Sequence, residues 1–179
     1  FMVEDSLDET VRKGVSVHTN KNLSLLAPKE LEVDEIMELA KDLGFGSKIQ
    51  LHNDGGGSID LDEMFSKIRY FVKGLGCSII IVDPLHTAIK NLSNENIEEV
   101  CDRFIKLCKE TRACIIISTH TRKPDDGSHP HKISEYDVKG SGAIPQSCHN
   151  NILFSRDKLA EDEYERNSVR IRVPKLRRT

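Results

Sequence analysis

An α/β fold, with helices packed on a mostly parallel sheet, is predicted by three features of this 179-residue sequence. First, the segments "CSIIIVD" and "ACIIISTH" are apolar without polar alternation, which is typical of parallel strands covered on both faces. Second, amphipathic segments with helical spacing separate the predicted strands. Third, both strands end in polar residues, at Asp83 and at His120, and ligands of open parallel sheets bind beyond the carboxyl ends of the strands. We therefore expect one core and a site at that edge.

Three amphipathic helices are predicted from the positions of apolar residues. The first, in "EVDEIMELAKDLGFG", ends at Gly44 and precedes "KIQLHN", which we interpret as a short strand. The second, "IDLDEMFSKIRYFVKGLG", has Asp60 as its N-cap and Gly74 at its end. The third is "NENIEEVCDRFIKLCKETR". The residues expected to face the core are Ile36, Leu39, Ala40 and Leu43 of the first helix and Ile97, Val100, Phe104 and Leu107 of the third.

Composition limits the class of protein. The net charge is -3, with 37% hydrophobic and 31% charged residues, which indicates a globular domain that dissolves in water. Five cysteines without CxxC spacing predict buried free thiols in a reducing compartment, not disulfides or a zinc site. Because no segment has the apolar length of a membrane span and no basic region marks a signal peptide, we expect a cytoplasmic protein with no membrane partner.

Asp83 ends an apolar strand and precedes a proline, and this arrangement has several interpretations. The carboxylate could face a metal ion or the magnesium of a bound phosphate. It could also simply cap the strand and help to turn the chain. A receiver-type phosphoacceptor domain is a third interpretation, because "HTRKP" supplies a Lys-Pro pair after a later strand and Glu4 and Asp5 supply an acidic pair. The sequence after the second strand decides among them.

The segment "SEYDVKGSGAIPQSCHNNILFSRDK" joins a Gly-Ser-Gly turn to an apolar strand and an arginine. With Glu4, Asp83, "STHTRKP" and the late "PKLRRT" in that order, it resembles the RecA-like motor domain of hexameric replicative DNA helicases. The closest resemblance is to bacteriophage-type primase-helicases and their mitochondrial relative Twinkle, and it covers nearly the whole chain. It implies a three-layer RecA-like P-loop NTPase fold, translocation on single-stranded DNA driven by NTP hydrolysis, duplex unwinding, and a bacterial or phage-infected cell as the location.

The resemblance assigns four residues to the chemistry of ATP, or of another NTP, and Mg²⁺. Glu4 matches the glutamate that polarises the attacking water. Asp83 matches the Walker B aspartate, which binds Mg²⁺ through water. His120 matches a polar sensor of the γ-phosphate, and Gln146 matches a polar group that links the nucleotide to a DNA-binding loop. Plainer interpretations stand beside these, since Glu4 could favour a helix start and His120 could be structural.

Two arginines match residues that the family directs at the γ-phosphate. They are Arg156 and Arg177, the latter supplied to a neighbouring subunit as an arginine finger, with Lys175 assisting at the nucleotide. The resemblance thus implies a homohexameric ring with active sites between subunits. We interpret Arg170 and Arg172 instead as charges on a solvent-exposed edge strand.

Single-stranded DNA is the polymeric partner that the resemblance implies, with a primase domain and a replication polymerase as further partners. The loop "HTRKPDDGSHPHK" and the Gly-Ser-Gly turn would bind backbone phosphates with little base readout. Asp125 and Asp126 reduce the positive charge of that loop, and we assign no metal to its histidines. The predicted DNA contacts are Arg122, Lys123, Lys132, Lys139, Gly140, Ser141 and Gly142.

The sequence contains no P-loop of the form GxxxxGK[ST]. "LGFGSKIQ" resembles one only superficially, because a serine separates its glycine from its lysine and a predicted strand follows. We therefore predict one domain over residues 1–179 that is a fragment, with its first strand and P-loop upstream and a short C-terminal continuation missing. Such a fragment would not hydrolyse ATP alone. Two alternatives stay open, a related ring or filament ATPase of the recombinase type and a non-catalytic interaction module.

Overall fold

The computed structural model describes residues 6–21, 23, 33–53, 60–85, 89, 92–122, 133–139 and 142–177. In chain order, the helices and strands of these residues are α1 (Leu7–Thr19), α2 (Val33–Asp42), α3 (Leu61–Lys73), β1 (Ile79–Val82), α4 (Asn94–Thr111), β2 (Cys114–Ile117), a 3₁₀ turn (Glu135–Asp137), α5 (Ala143–Ser147), β3 (Asn150–Ser155), α6 (Glu163–Asn167) and β4 (Arg170–Leu176). None of the helices in these ranges is both long enough and apolar enough to cross a bilayer.

Strands β1 and β2 form a parallel pair with α4 in the connection between them. Their register aligns Val82 with Ile117, so Asp83 and Ser118 both follow the carboxyl ends of the strands. A crossover of this length is what parallel pairing requires. The pairing confirms the predicted α/β arrangement and places the two polar strand ends side by side.

Helices α3 and α4 cover one face of this strand pair and form the main core. Phe65 of α3 packs on Phe104 of α4 with ring centroids 4.7 Å apart, and Val82 and Leu107 are fully buried beside them. The core face predicted for α4 is confirmed, because its four members are all buried. They are Ile97, Val100, Phe104 and Leu107.

The other face of β1 and β2 is open to solvent in the part of the chain that the structure describes. Ile79 is 59% exposed, Ile81 52% and Ile116 48%, while their neighbours Ile80 and Val82 are buried. The prediction that these strands are buried on both faces is therefore wrong here. The physical reason is that each face of a strand pair is buried only if another layer packs on it, and α3 and α4 cover only one of the two faces.

Helices α1 and α2 form a smaller core of their own. Val15 of α1 packs against Ile36 and Ala40 of α2, and Leu39 and Leu43 lie at the edge of the cluster. The predicted face of α2 is thus confirmed. Helix α1 begins with a capping box in which Ser6 and Glu9 bond to each other's backbone amides.

The segment predicted as a strand after α2 begins in a tight turn, over residues 44–49, and forms no regular strand. Gly44 and Gly46 have φ values of 91° and 79°, and Ile49 N donates to Gly44 O at 2.8 Å while Gly46 N donates to Ile49 O at 2.9 Å. Phe45 and Ile49 form only an isolated bridge. The strand prediction for "KIQLHN" is wrong because the glycines let the chain satisfy its backbone groups locally.

Strands β3 and β4 form an antiparallel pair, separate from β1 and β2 within the described ranges. Ser155 pairs with Arg170 at one end and Asn150 with Leu176 at the other, with a register shift between Asn151 and Leu153. One face of this pair is also exposed and apolar. Its exposed members are Ile152, Phe154, Ile171, Val173 and Leu176.

All five cysteines are free, as predicted. Burial raises the pKa of Cys101 to about 11, and burial also raises the pKa of Cys108 and of Cys148. Such thiols are poor nucleophiles at neutral pH. Cys114 is exposed, so the expectation of burial is wrong for that thiol.

Candidate functional site

Asp83 lies at the carboxyl end of β1 with its side chain exposed. Its Oδ1 accepts a short hydrogen bond from the Ser118 hydroxyl, which follows β2. The backbone joins the same two segments, because Ser118 N donates to Val82 O and Leu85 N donates to Ser118 O, each at 3.0 Å. The hydroxyl thereby orients the carboxylate at the edge of the parallel pair.

The surroundings of Asp83 suit a magnesium ion that keeps most of its water. Mg²⁺ prefers oxygen ligands and is commonly bound by one or two carboxylates together with substrate phosphates. Asp83 presents one exposed carboxylate of this kind. Across the described ranges there is no group of three or more His, Cys, Asp or Glu side chains that could enclose a metal ion.

Beyond β2 the chain enters a short two-stranded ribbon, which residues 120–122 and 137–139 form. Thr121 and Val138 are antiparallel bridge partners at its centre. Val138 is buried in the main core, which fixes the ribbon to the domain. The ribbon therefore begins three residues after the end of β2 and carries two of the predicted DNA contacts.

The ribbon contains four polar residues in two pairs that the backbone joins. Lys139 N donates to His120 O at 2.8 Å, and Arg122 N donates to Asp137 O at 2.7 Å. The side chains of His120, Arg122 and Lys139 are exposed, whereas Val138 is buried and Asp137 is half-buried at the end of the 3₁₀ turn. The predicted γ-phosphate sensor His120 thus lies across from the predicted DNA contact Lys139.

Asp137 is an ionised group that the sequence reasoning did not single out. Its Oδ2 accepts from Ser134 N at 2.7 Å and from Ser134 Oγ at 3.0 Å. These bonds, and then the charge of Arg122, hold the pKa of the Asp137 carboxyl below its usual value. The pattern Ser-x-x-Asp of a capping box at residues 134–137 was the available signal.

Gln146 and Lys175 meet at the end of α5. Lys175 Nζ donates to Gln146 O at 2.6 Å and to Pro145 O at 3.0 Å, and Asn151 Nδ2 also donates to Pro145 O at 3.0 Å. The Lys175 ammonium therefore provides hydrogen bonds and positive charge to the carbonyl groups at the C-terminus of α5. The Gln146 side chain is exposed and lies near Gly142, the exposed residue at the start of α5.

Arg156 and Arg177 lie at opposite ends of the β3–β4 pair. Arg156 follows Ser155, and its guanidinium donates to Arg166 O at 2.6 Å and to Asn167 Oδ1 at 2.9 Å. Arg177 follows Leu176 at the other end, where its backbone N donates to His149 O at 3.1 Å and its side chain is exposed. The two arginines therefore face different surroundings.

Five predicted site residues lie outside the described residues, so they stay predictions. They are Glu4, Lys123, Lys132, Gly140 and Ser141.

Arg172 differs from the interpretation of a solvated edge charge. Its Nε and Nη2 are buried and have no hydrogen-bond acceptor among the residues that the structure describes, whereas Arg170 is exposed as expected. Alternation along β4 turns Arg172 and Arg170 to the same face, so no pattern in the sequence separates them.

The fold is that of a RecA-like domain. One solved structure, which is described as an ATPase domain, matches the fold with a TM-score of 0.75 at 18% sequence identity, covering 98% of this chain and 65% of that one. The sequence matches the model of the family described as "DnaB-like helicase C terminal domain" over residues 1–179. The chain belongs to that family.

One curated relative is a "DNA helicase/primase" of Enterobacteria phage T3. It is 23% identical over 187 residues, and the match covers 99% of this chain. The chain spans 32% of that relative's length and 65% of the chain in the matching solved structure. The predicted resemblance to replicative helicases is thus confirmed at the level of family and fold.

Proposed function

We propose that this chain is the motor domain of a replicative DNA helicase, which couples hydrolysis of ATP or another NTP to movement along single-stranded DNA. The observation that carries the proposal is the placement of Asp83, whose exposed carboxylate is oriented by Ser118 at adjoining parallel strand ends. This is the edge at which α/β sheets bind ligands. Membership of a helicase family supports the same conclusion.

Asp83 would bind the magnesium of the nucleotide, chiefly through water, and that ion would neutralise charge on the phosphates. Glu4 would orient the attacking water. His120 and Gln146 would respond to loss of the γ-phosphate, and the ribbon would pass this response to the DNA loops. Support for the last step is the backbone bond between Lys139 and His120.

The active sites of this protein would lie between subunits of a homohexameric ring. Arg177 would reach the γ-phosphate bound to a neighbour, and its exposure at the end of β4 favours such a role. Arg156 and Lys175 are proposed nucleotide contacts as well, although each already bonds within its own chain. A primase domain and a replication polymerase are the proposed protein partners.

We further propose that the P-loop belongs to the same protein, outside these 179 residues. The separation of the two strand pairs, each with an exposed apolar face, favours a sheet that further strands complete. This 179-residue chain alone would then not hydrolyse ATP. Magnesium-dependent turnover by the purified chain, free of contaminants, would contradict this.

The test of the motor function is Asp83→Asn in the complete protein. Asparagine has nearly the same size as aspartate and is also polar, and the position is exposed. We therefore expect the variant to assemble normally and to lose most of its ATP turnover. Asp102→Asn is the matched control, because Asp102 is an exposed carboxylate on α4. If Asp83→Asn keeps full specific activity, Asp83 is only a strand cap and the proposal fails.

A further inference from the structure

Asp137 has no role in the proposed motor, yet in the sequence it lies between the two segments that we propose to bind DNA. The ribbon places it opposite Arg122, with the Arg122 N to Asp137 O bond at 2.7 Å. The adjoining pair is His120 and Lys139. The charge of Arg122 acts on this carboxyl group, so the two side chains are close enough to influence each other.

The Asp137 carboxylate is held in place by the turn that precedes it. Ser134 donates to it through both its backbone N and its hydroxyl. An aspartate is ionised at neutral pH, and these bonds, together with the charge of Arg122, lower the pKa of the Asp137 carboxyl further. Its charge is thus a fixed feature of the ribbon.

We propose that Asp137 weakens the hold of Arg122 on single-strand phosphates by keeping a negative charge on the residue that pairs with Arg122 through the backbone. This inference rests on the proposed function, since it concerns regulation of the same DNA surface. Opposite charges in a cross-strand pair attract each other, so a phosphate has to compete with Asp137 for Arg122. A protein that moves along DNA must release each phosphate contact, and the negative charge of Asp137 would speed release from Arg122.

The test compares Asp137→Asn, Arg122→Ala and the double variant in the complete protein, bound to a fluorescent oligo-dT strand with a non-hydrolysable ATP analogue. Asparagine keeps an oxygen that can accept from Ser134, so the turn is retained and only the charge is lost. We expect Asp137→Asn to lower the Kd about two- to fivefold, the ratio that an exposed charge pair typically supplies. In the Arg122→Ala background the same change should leave the Kd unaltered.

Ser134→Ala is the control for a structural effect, because it removes the hydroxyl's bonds to Asp137 and to Tyr136 N but no charge. It should not tighten DNA binding. Unchanged or weaker binding by Asp137→Asn overturns the inference, and so does tightening that persists without Arg122. If Arg122→Ala weakens binding while Asp137→Asn does nothing, only the role of Asp137 fails. If Arg122→Ala itself has no effect, the DNA surface of the proposed function fails with it.

Discussion

Replacing Arg177 by alanine in the complete protein should abolish most ATP hydrolysis and leave folding and assembly intact. Arg177 uses its backbone N, not its side chain, to bond His149, and the side chain is exposed. Truncating such a side chain typically changes the free energy of unfolding by no more than about 0.5 kcal/mol. Loss of an arginine finger, by contrast, costs about 10³ to 10⁵ in rate.

Strand β4 supplies a matched control. Its seven residues run from Arg170 to Leu176, and at about 3.3 Å per residue the two ends lie roughly 20 Å apart. Arg170 is exposed and has the same charge as Arg177. Arg170→Ala should therefore leave hydrolysis near that of the wild type, which separates a local role from a general effect of charge.

The assay measures DNA-stimulated ATP turnover, nucleotide binding and ring assembly for each variant. Mixing Arg177→Ala subunits with Glu4→Gln subunits, each inactive alone, then tests placement in a neighbouring site. Some interfaces of a mixed ring would regain both groups, so partial recovery is expected. If verified mixed rings recover nothing, and activity rises linearly when wild-type subunits are titrated into Arg177→Ala, the finger does not act across the interface.

Three further predictions concern single side chains. His120→Ala should weaken the stimulation of ATP hydrolysis by single-stranded DNA more than basal hydrolysis, and an equal loss of both rates would indicate a direct chemical role instead. The hydrogen bond from Lys73, more than any other contact, holds the pKa of Glu110 below its usual value near 4.5. The ionised Glu110 therefore stabilises the fold fully above pH 4.5, and this contribution is lost as the pH falls through the lower pKa of the folded state. In thermal melts, Glu110→Gln should have a lower melting temperature than the wild type at neutral pH, and the difference should disappear in acid. Arg172→Met should raise the stability of the 179-residue chain by about 1–3 kcal/mol, because it removes two buried guanidinium nitrogens that have no acceptor among the described residues. A lower melting temperature would contradict this reasoning.

Local signals explain why the helices could be predicted from the sequence. Helix α3 begins where predicted, because Asp60 accepts from Asp62 N and Glu63 N, and it ends at Gly74. The helix-period pattern of α4 likewise identified its buried face. Helix caps and the spacing of apolar residues are local to one segment, so both can be recognised in a single sequence.

Features that depend on distant segments could not be predicted in the same way. From the sequence, Asp83 was predicted to lie at a strand end beside the end of β2. The hydrogen bond from the Ser118 hydroxyl that orients Asp83 was not predicted. The bridge between Thr121 and Val138 joins residues that are far apart in the sequence, and no local pattern indicates it. Burial of Arg172 likewise depends on what covers one face of β4.

The uncovered isoleucines of β1 and β2 have a practical consequence for work with the isolated chain. Exposed apolar strand faces, such as those with Ile81 and Phe154, favour association between copies of a protein. Strands with unpaired edges add a template for pairing between chains. Preparations of this chain should therefore form larger species as concentration rises, and light scattering belongs beside every melting curve recorded from it.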